Sequence, residues 1–294
     1  MRRADLARLI CLAALWGGSY AFMRVVAPVL GGFCTMWLRI SIAGVVLLGY
    51  ALLTREDLKF PVWWKKYLFI GLLNSALPFG LIAFAMKTLP TGYGAMLNAM
   101  APLFAALFAA LMMGERLKGL RVLGLALGLV GVATIVNLGP VALNAQTLIA
   151  IGAMTIATCS YGFIIVYTKK HMQPAPNMGL AVGSMLLPAL LLMPVGFNSI
   201  PAVMPATNVV LSLLALAVFC SAIAYLLYFR LIRDIGPTKA ISVTFLVPVF
   251  GVLWGAIFFG ESLNGGAVAG GVIVLIGVAL VLGILPYRQT INPR

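Results

Sequence analysis

"NAMAPLFAALFAALMMGERL" (residues 98–117) and "TFLVPVFGVLWGAIFFGESL" (residues 244–263) are one segment written twice. In register they share Pro102/Pro248, Phe104/Phe250, Leu107/Leu253, Ala110/Ala256, Gly114/Gly260, Glu115/Glu261 and Leu117/Leu263, at a constant offset of 146 residues. The same offset relates Ser75 to Ser221, Ala76 to Ala222, Gly124 to Gly270 and Gly131 to Gly277. "SYAF" (19–22) returns as "SYGF" (160–163) at an offset of 141, so a five-residue difference in length lies between. The chain divides into two related halves, 1–140 and 141–294.

Of the 294 residues 63% are hydrophobic and 9% charged, whereas soluble domains hold about 45–50% apolar and about 25% charged residues. No water-soluble core hides that much apolar surface, so the solvent for most of this chain is lipid. Apolar runs bounded by charge or by Pro and Gly predict ten membrane helices near 6–27, 33–53, 66–86, 93–113, 120–137, 146–168, 176–195, 209–232, 238–259 and 266–285. Each is about the length a hydrocarbon core of roughly 30 Å requires. The first run reads as a helix and not a removed leader, because its "SYAF" is one half of the repeat. The fold class expected is therefore all-α integral membrane, ten helices as two five-helix repeats.

The net charge of +14 does not point to nucleic acid. With the N-terminus in the cytoplasm, seventeen of the twenty Lys and Arg fall in cytoplasmic segments, leaving Arg24, Arg39 and Lys87. That is a strong positive-inside bias, and it puts both termini in the cytoplasm. Five helices per half is an odd number, so the second half enters from the opposite face. Glu115 then lies at the cytoplasmic surface and Glu261 at the outer one. Inverted repeats are a plan of secondary transporters, in which two like halves exchange roles and open one site to each side in turn.

The stretches "ALWGGSYAFMR" (14–24), "WLRISIAGVVLL" (37–48) and the two Pro…Gly-Glu-x-Leu helices together resemble the drug/metabolite transporter superfamily, specifically its EamA-domain members. In length the chain is similar to YddG-type amino-acid exporters. The resemblance implies a ten-helix inner-membrane carrier of small molecules, with export as the direction of flux.

Intramembrane ionisable groups are the first functional suspects, and here they are scarce. The six acids, Asp5, Glu56, Asp57, Glu115, Asp234 and Glu261, all fall at helix ends or in loops, and His171 is in a basic loop. Membrane hydrolases need such groups at depth, so no enzyme is expected. The four scattered cysteines have no metal-ligand spacing, and neither metal nor cofactor is expected. Arg39 lies roughly 9 Å inside its helix at 1.5 Å per residue, and Arg24 is in the last turn of the first helix. No acid at that depth is placed to pair with either. They snorkel to the outer surface, or one of them holds a substrate carboxylate.

Glu115 and Glu261 follow glycines that can end a helix, and favour the start of the next helix or act as gates. Trp16, Ser19, Tyr20, Ser160, Tyr161, Asn74, Phe79, Tyr225, Tyr228, Tyr93 and Asn98 are polar or aromatic midspan groups, matched between the halves. They join helices to one another or line a site. Pro78, Pro102 and Pro248 free carbonyls within helices, towards a cavity or as simple kinks. Glycine spacings such as Gly124-x3-Gly128 and Gly251-x3-Gly255 favour packing within the monomer. Monomer and dimer both stay open. The reading is an alternating-access carrier in the bilayer for a small metabolite, an amino acid first. A broad exporter of apolar drugs and a non-transporting scaffold are the rivals.

Overall fold

The computed structural model describes residues 2–115, 119–138, 144–236, 240, 243–262 and 264–282. Every regular element among them is helical. In hydrocarbon no water serves the backbone, so each N–H and C=O must be paired within the chain, and a helix does this locally.

Helix α1 (Arg3–Leu53) is interrupted at Gly31, whose φ of 75° and ψ of 162° break it into two segments. A side chain there would be strained, and glycine is not. Helix α2 (Phe60–Gly71) runs through a π-turn, Leu72–Ala76, into α3 (Leu77–Ala85). Then come α4 (Thr91–Asn98), α5 (Ala101–Met113), α6 (Leu120–Leu138), α7 (Ala145–His171), α8 (Asn177–Leu191) and the short α9 (Met193–Asn198). Helix α10 (Thr207–Ala217) passes through a second π-turn, Val218–Ile223, into α11 (Ala224–Ile235); α12 (Val243–Phe259) and α13 (Gly265–Leu282) follow.

Among the described residues six runs are long and apolar enough to cross a membrane: Arg3–Leu53, Phe60–Ala85, Thr91–Met113, Ala145–His171, Thr207–Ile235 and Gly265–Leu282. Leu120–Ile135, Asn177–Leu191 and Val243–Phe259 are shorter apolar helices. The chain is a multi-pass membrane protein. Helix α2 begins at Phe60, ahead of the expected 66, because Pro61 can sit in a first turn without a missing bond. Helix α8 stops at Leu191 and α9 restarts with Pro194 near its N-terminus, where 176–195 was expected as one run. The expected 238–259 starts partly outside the described residues.

The two π-turns begin 146 residues apart, at Leu72 and Val218. In the first, Pro78 offers no N–H to the carbonyl of residue 74, and the Leu77 N–H reaches back to Leu72 O. In the second the matching residue is Ala224, and the Ser221 hydroxyl donates to Leu216 O at 3.1 Å. Different residues support the same bulge. Pro102 starts α5 after a break at Ala99–Met100, and Pro248 lies inside α12.

Helices α6 and α13 pack backbone to backbone. A Cβ on Gly124 would stand 2.6 Å from Gly277 O, and one on Gly277 2.6 Å from Gly124 O. Likewise Gly131 would meet Gly270 O at 2.8 Å, and Gly270 would meet Gly131 O at 2.7 Å. Gly124 and Gly270 are copies, as are Gly131 and Gly277, and each glycine meets the other pair's copy. Reciprocal exchange of this kind is what a two-fold relation between antiparallel helices produces. Phe104 and Phe250, also copies, carry the neighbouring contacts: Gly162 of α7 approaches Phe104, and Gly17 of α1 approaches Phe250. The glycines thus pack within one chain.

Gly277→Val should lower stability by about 1–3 kcal/mol, the usual cost of overpacking. Gly152→Ala, where a Cβ meets nothing within 4 Å, should be neutral or stabilising by up to about 1 kcal/mol. Thermal unfolding of the two variants in one detergent compares them directly.

Candidate functional site

Arg39 projects from the second segment of α1 and is 3% exposed. It does not snorkel. Its Nε donates to Ser221 Oγ at 2.8 Å, and Nη1 lies 3.7 Å from the Met23 sulfur. Its guanidinium carbon sits 3.7 Å from the centre of the Phe79 ring. Tyr20, Tyr161, Tyr225 and Cys220 are close enough to act on its charge. Every one of these groups is neutral. Among the described residues no carboxylate pairs with Arg39; Asp5, Glu115, Asp234 and Glu261 pair with other cations. An ion in low dielectric without a counter-ion is costly by several kcal/mol, even after a hydrogen bond and a ring face reduce it.

The π-turns bring the site together from both halves. Asn74 of the first turn donates to the Tyr225 hydroxyl of α11 at 2.8 Å. Ser221 of the second turn holds Arg39 of α1. Each turn therefore reaches into the opposite half. Asn98, at the last turn of α4, lies near Tyr20. The Asn98 Oδ1 is buried with no hydrogen-bond partner among the described residues.

The sequence-predicted residues divide into three levels. Arg39, Phe79, Tyr20, Asn98, Asn74, Tyr225 and Tyr161 form the central cluster. Trp16 and Tyr228 meet at a tilt of 51° with ring centres 5.3 Å apart, about one helical turn nearer the N-terminus of α1. Tyr93 lies with Arg24 and Glu261 at the far end, lining a cavity of about 310 Å³. Two hydroxyls serve packing. Ser19 donates to Trp16 O at 2.7 Å within its own helix, and Ser160 to Leu73 O at 2.5 Å, tying α7 to the first π-turn. Of the prolines, Pro78 adjoins the central cluster through its π-turn, whereas Pro102 and Pro248 are buried helix residues.

Two expectations are corrected. Arg24 does have an acid: it forms an ion pair with Glu261 and lies 4.6 Å from the Phe259 ring centre. The loop that follows α12 folds the carboxylate back to it, a path that depth along one helix does not reveal. Nor does Glu261 serve the helix that follows it. Its carboxylate accepts from the N–H groups of Thr91 (2.8 Å) and Gly92 (3.3 Å), capping α4 of the other half. Glu115 takes a different course. It lies near the surface, 3.2 Å from Arg121 and 3.5 Å from Lys169. Gly114 and Gly260 do end their helices, at φ of 68° and 61°.

Met23, Ser221, Thr91 and Phe259 belong to these clusters without having been chosen as site residues. Ser221 carried a signal, since it repeats Ser75. The others are apolar or common residues whose role comes from what packs against them.

Known proteins share this architecture. The model of the EamA-like transporter family matches residues 6–137 and again residues 148–283. The Escherichia coli protein YedA, named an uncharacterized inner membrane transporter, is 30% identical over 97% of this chain and 94% of its own length. A Salmonella typhimurium protein named a probable amino-acid metabolite efflux pump is 27% identical over 71% of this chain and 73% of its own. A solved crystal structure superposes with a TM-score of 0.66 at 19% identity, over 95% of this chain and 96% of the other.

Proposed function

Because the chain belongs to the EamA-like transporter family, we propose that it is an alternating-access carrier that exports a small metabolite bearing one carboxylate. An amino acid with an apolar or aromatic side chain fits first. The membrane is the inner one, as for YedA, and both termini are cytoplasmic. The working unit is ten membrane helices in two inverted halves, 1–140 and 141–294. The repeated segments, the paired π-turns and the exchanged glycine contacts of α6 and α13 support that plan.

The observation that carries the substrate class is Arg39, a buried cation whose partners are all neutral. A substrate carboxylate supplies the missing anion, and charge-assisted bonds to guanidinium are strong and directional. The buried Asn98 Oδ1 and the faces of Tyr20, Tyr161 and Tyr225 accept an ammonium group. Phe79 and Trp16 give an apolar side chain its surroundings. The name of the Salmonella relative points the same way.

In proteoliposome counterflow, Arg39→Gln should lower exchange of labelled apolar or aromatic amino acids by about tenfold or more, as loss of a bond to a charged group worth about 1.5–3 kcal/mol requires. Arg39→Lys should retain part of it. Unchanged exchange in Arg39→Gln would favour a broad exporter of apolar compounds, and absence of flux for any solute a scaffold.

The central cluster holds no carboxylate or imidazole, so nothing there changes charge near neutral pH. An imposed pH gradient, at matched internal pH, should alter counterflow by less than about twofold, because arginine keeps its proton throughout. A several-fold stimulation abolished in Glu261→Gln or Glu115→Gln would give those carboxylates a coupling role.

Cysteines placed at Asn264 and Lys118 in a Cys-free background should react with an impermeant thiol reagent from opposite faces. Labelling of both from one face would end the inverted arrangement.

A further inference from the structure

We propose that Arg24, Glu261 and the first turn of α4 form a latch that closes the outer end of the pathway. The proposal rests on the carrier reading above, and makes the conformation described here the outward-closed one.

One carboxylate joins three elements from two halves. Glu261 comes from the loop between α12 and α13 in the second half. It accepts the Thr91 and Gly92 N–H groups at 2.8 and 3.3 Å, at the start of α4 in the first half. It also pairs with Arg24 of α1, likewise in the first half. Local structure is arranged around it. Gly260, at φ 61°, turns the chain back. Gly255 leaves the space in which the carboxylate lies, since a Cβ there would collide with Glu261. Phe259 backs the Arg24 guanidinium.

The helices beneath this junction are close. A Cβ on Gly17 would come 2.8 Å from Gly251 N, and one on Gly92 3.1 Å from Val252 Cα. So α4 and α12 meet closely beside the ion pair, and α1 meets α12 about two turns further along, level with Trp16.

A plain helix cap joins neighbours that move together. This one spans the interface between the halves. If the halves separate at the outer end, Glu261 must leave both Arg24 and the α4 N-terminus. At the other end Glu115 faces Arg121 and Lys169, 3.2 and 3.5 Å away, and is 35% exposed against 15% for Glu261; residues 237 and 238, the copies of Thr91 and Gly92, lie outside the described residues.

The test reads access and not flux. Met23 is 1% exposed, lies next to Arg24 in α1 and touches Arg39. A Met23→Cys reporter is introduced after replacing Cys11, Cys34, Cys159 and Cys220, and an impermeant maleimide is added from outside without substrate. Arg24→Gln or Glu261→Gln should each speed labelling by about fivefold or more, equivalent to about 1 kcal/mol less stability for the closed state. The double variant should add little, because either change breaks the same junction. Glu115→Gln should leave external labelling unchanged.

Equal labelling rates in folded, monodisperse Arg24→Gln and Glu261→Gln would overturn the latch. If Glu261→Gln does not fold, Arg24→Gln decides alone. Unchanged labelling with intact amino-acid exchange sinks the latch and keeps the carrier. Faster labelling with no flux of any solute keeps the latch and sinks the carrier.

Discussion

Arg39 is a full charge buried to all but 3% of its surface, and much of the surrounding structure answers to it. A lone guanidinium at this depth would be unfavourable by several kcal/mol. Here one N–H goes to Ser221, another faces a sulfur, and the plane of the group lies on Phe79. Ser221 is in position because the helix bulges there. A π-turn rotates the residues after it relative to a regular helix, and such bulges often mark functional sites. The matching bulge aims Asn74 across to Tyr225. Two local departures from helical regularity thus assemble one polar cluster that neither half builds by itself.

The absence of water also explains how the helices approach. In lipid, side-chain burial gives no advantage over contact with acyl chains, so association depends on close packing and on the few polar contacts. Glycine is the residue that lets two backbones touch, and it recurs where the twofold relation needs it, in α6 and α13. The tryptophan N–H groups act in the same economy of polar groups: Trp254 donates to Ala14 O at 2.9 Å and Trp37 to Ala189 O at 3.0 Å. Each satisfies a donor and ties two distant segments of chain.

Much of this was legible in the sequence, and for physical reasons. Hydropathy marks the apolar runs because burying a charge in lipid is costly. The repeat is visible because both halves need the same Pro, Gly and Glu at the same helix ends. Arg39 could be singled out because it has no acid within its own depth. Other features were not legible. The π-turns depend on which carbonyl loses its partner, and in the second half a serine replaces the proline as their support. The break at Gly31 falls in the gap expected between 6–27 and 33–53, whereas the one at Ala99–Met100 interrupts a run expected to be continuous over 93–113. The destination of Glu261 was missed because, as a cap, a carboxylate next to a glycine was weighed only against the helix that follows in the chain. The helix that follows in space was α4, 170 residues away.

The two halves are twins at their ends and not at their centre. Glu115 and Glu261 are copies, and so are the glycines beside them. Arg39 has no copy: the corresponding run of the second half, 176–195, holds no basic residue. For a carrier built from inverted repeats this asymmetry is coherent. Closing one end and opening the other asks equivalent elements to trade states, so the closing elements must exist twice. The bound solute is the same molecule in both states and meets the same group throughout. A second arginine would place like charges within a few ångströms of each other, unfavourable for a single carboxylate to neutralise. On the proposed carrier reading, one cation at the centre and a repeated acid at each end divide holding the solute from closing around it.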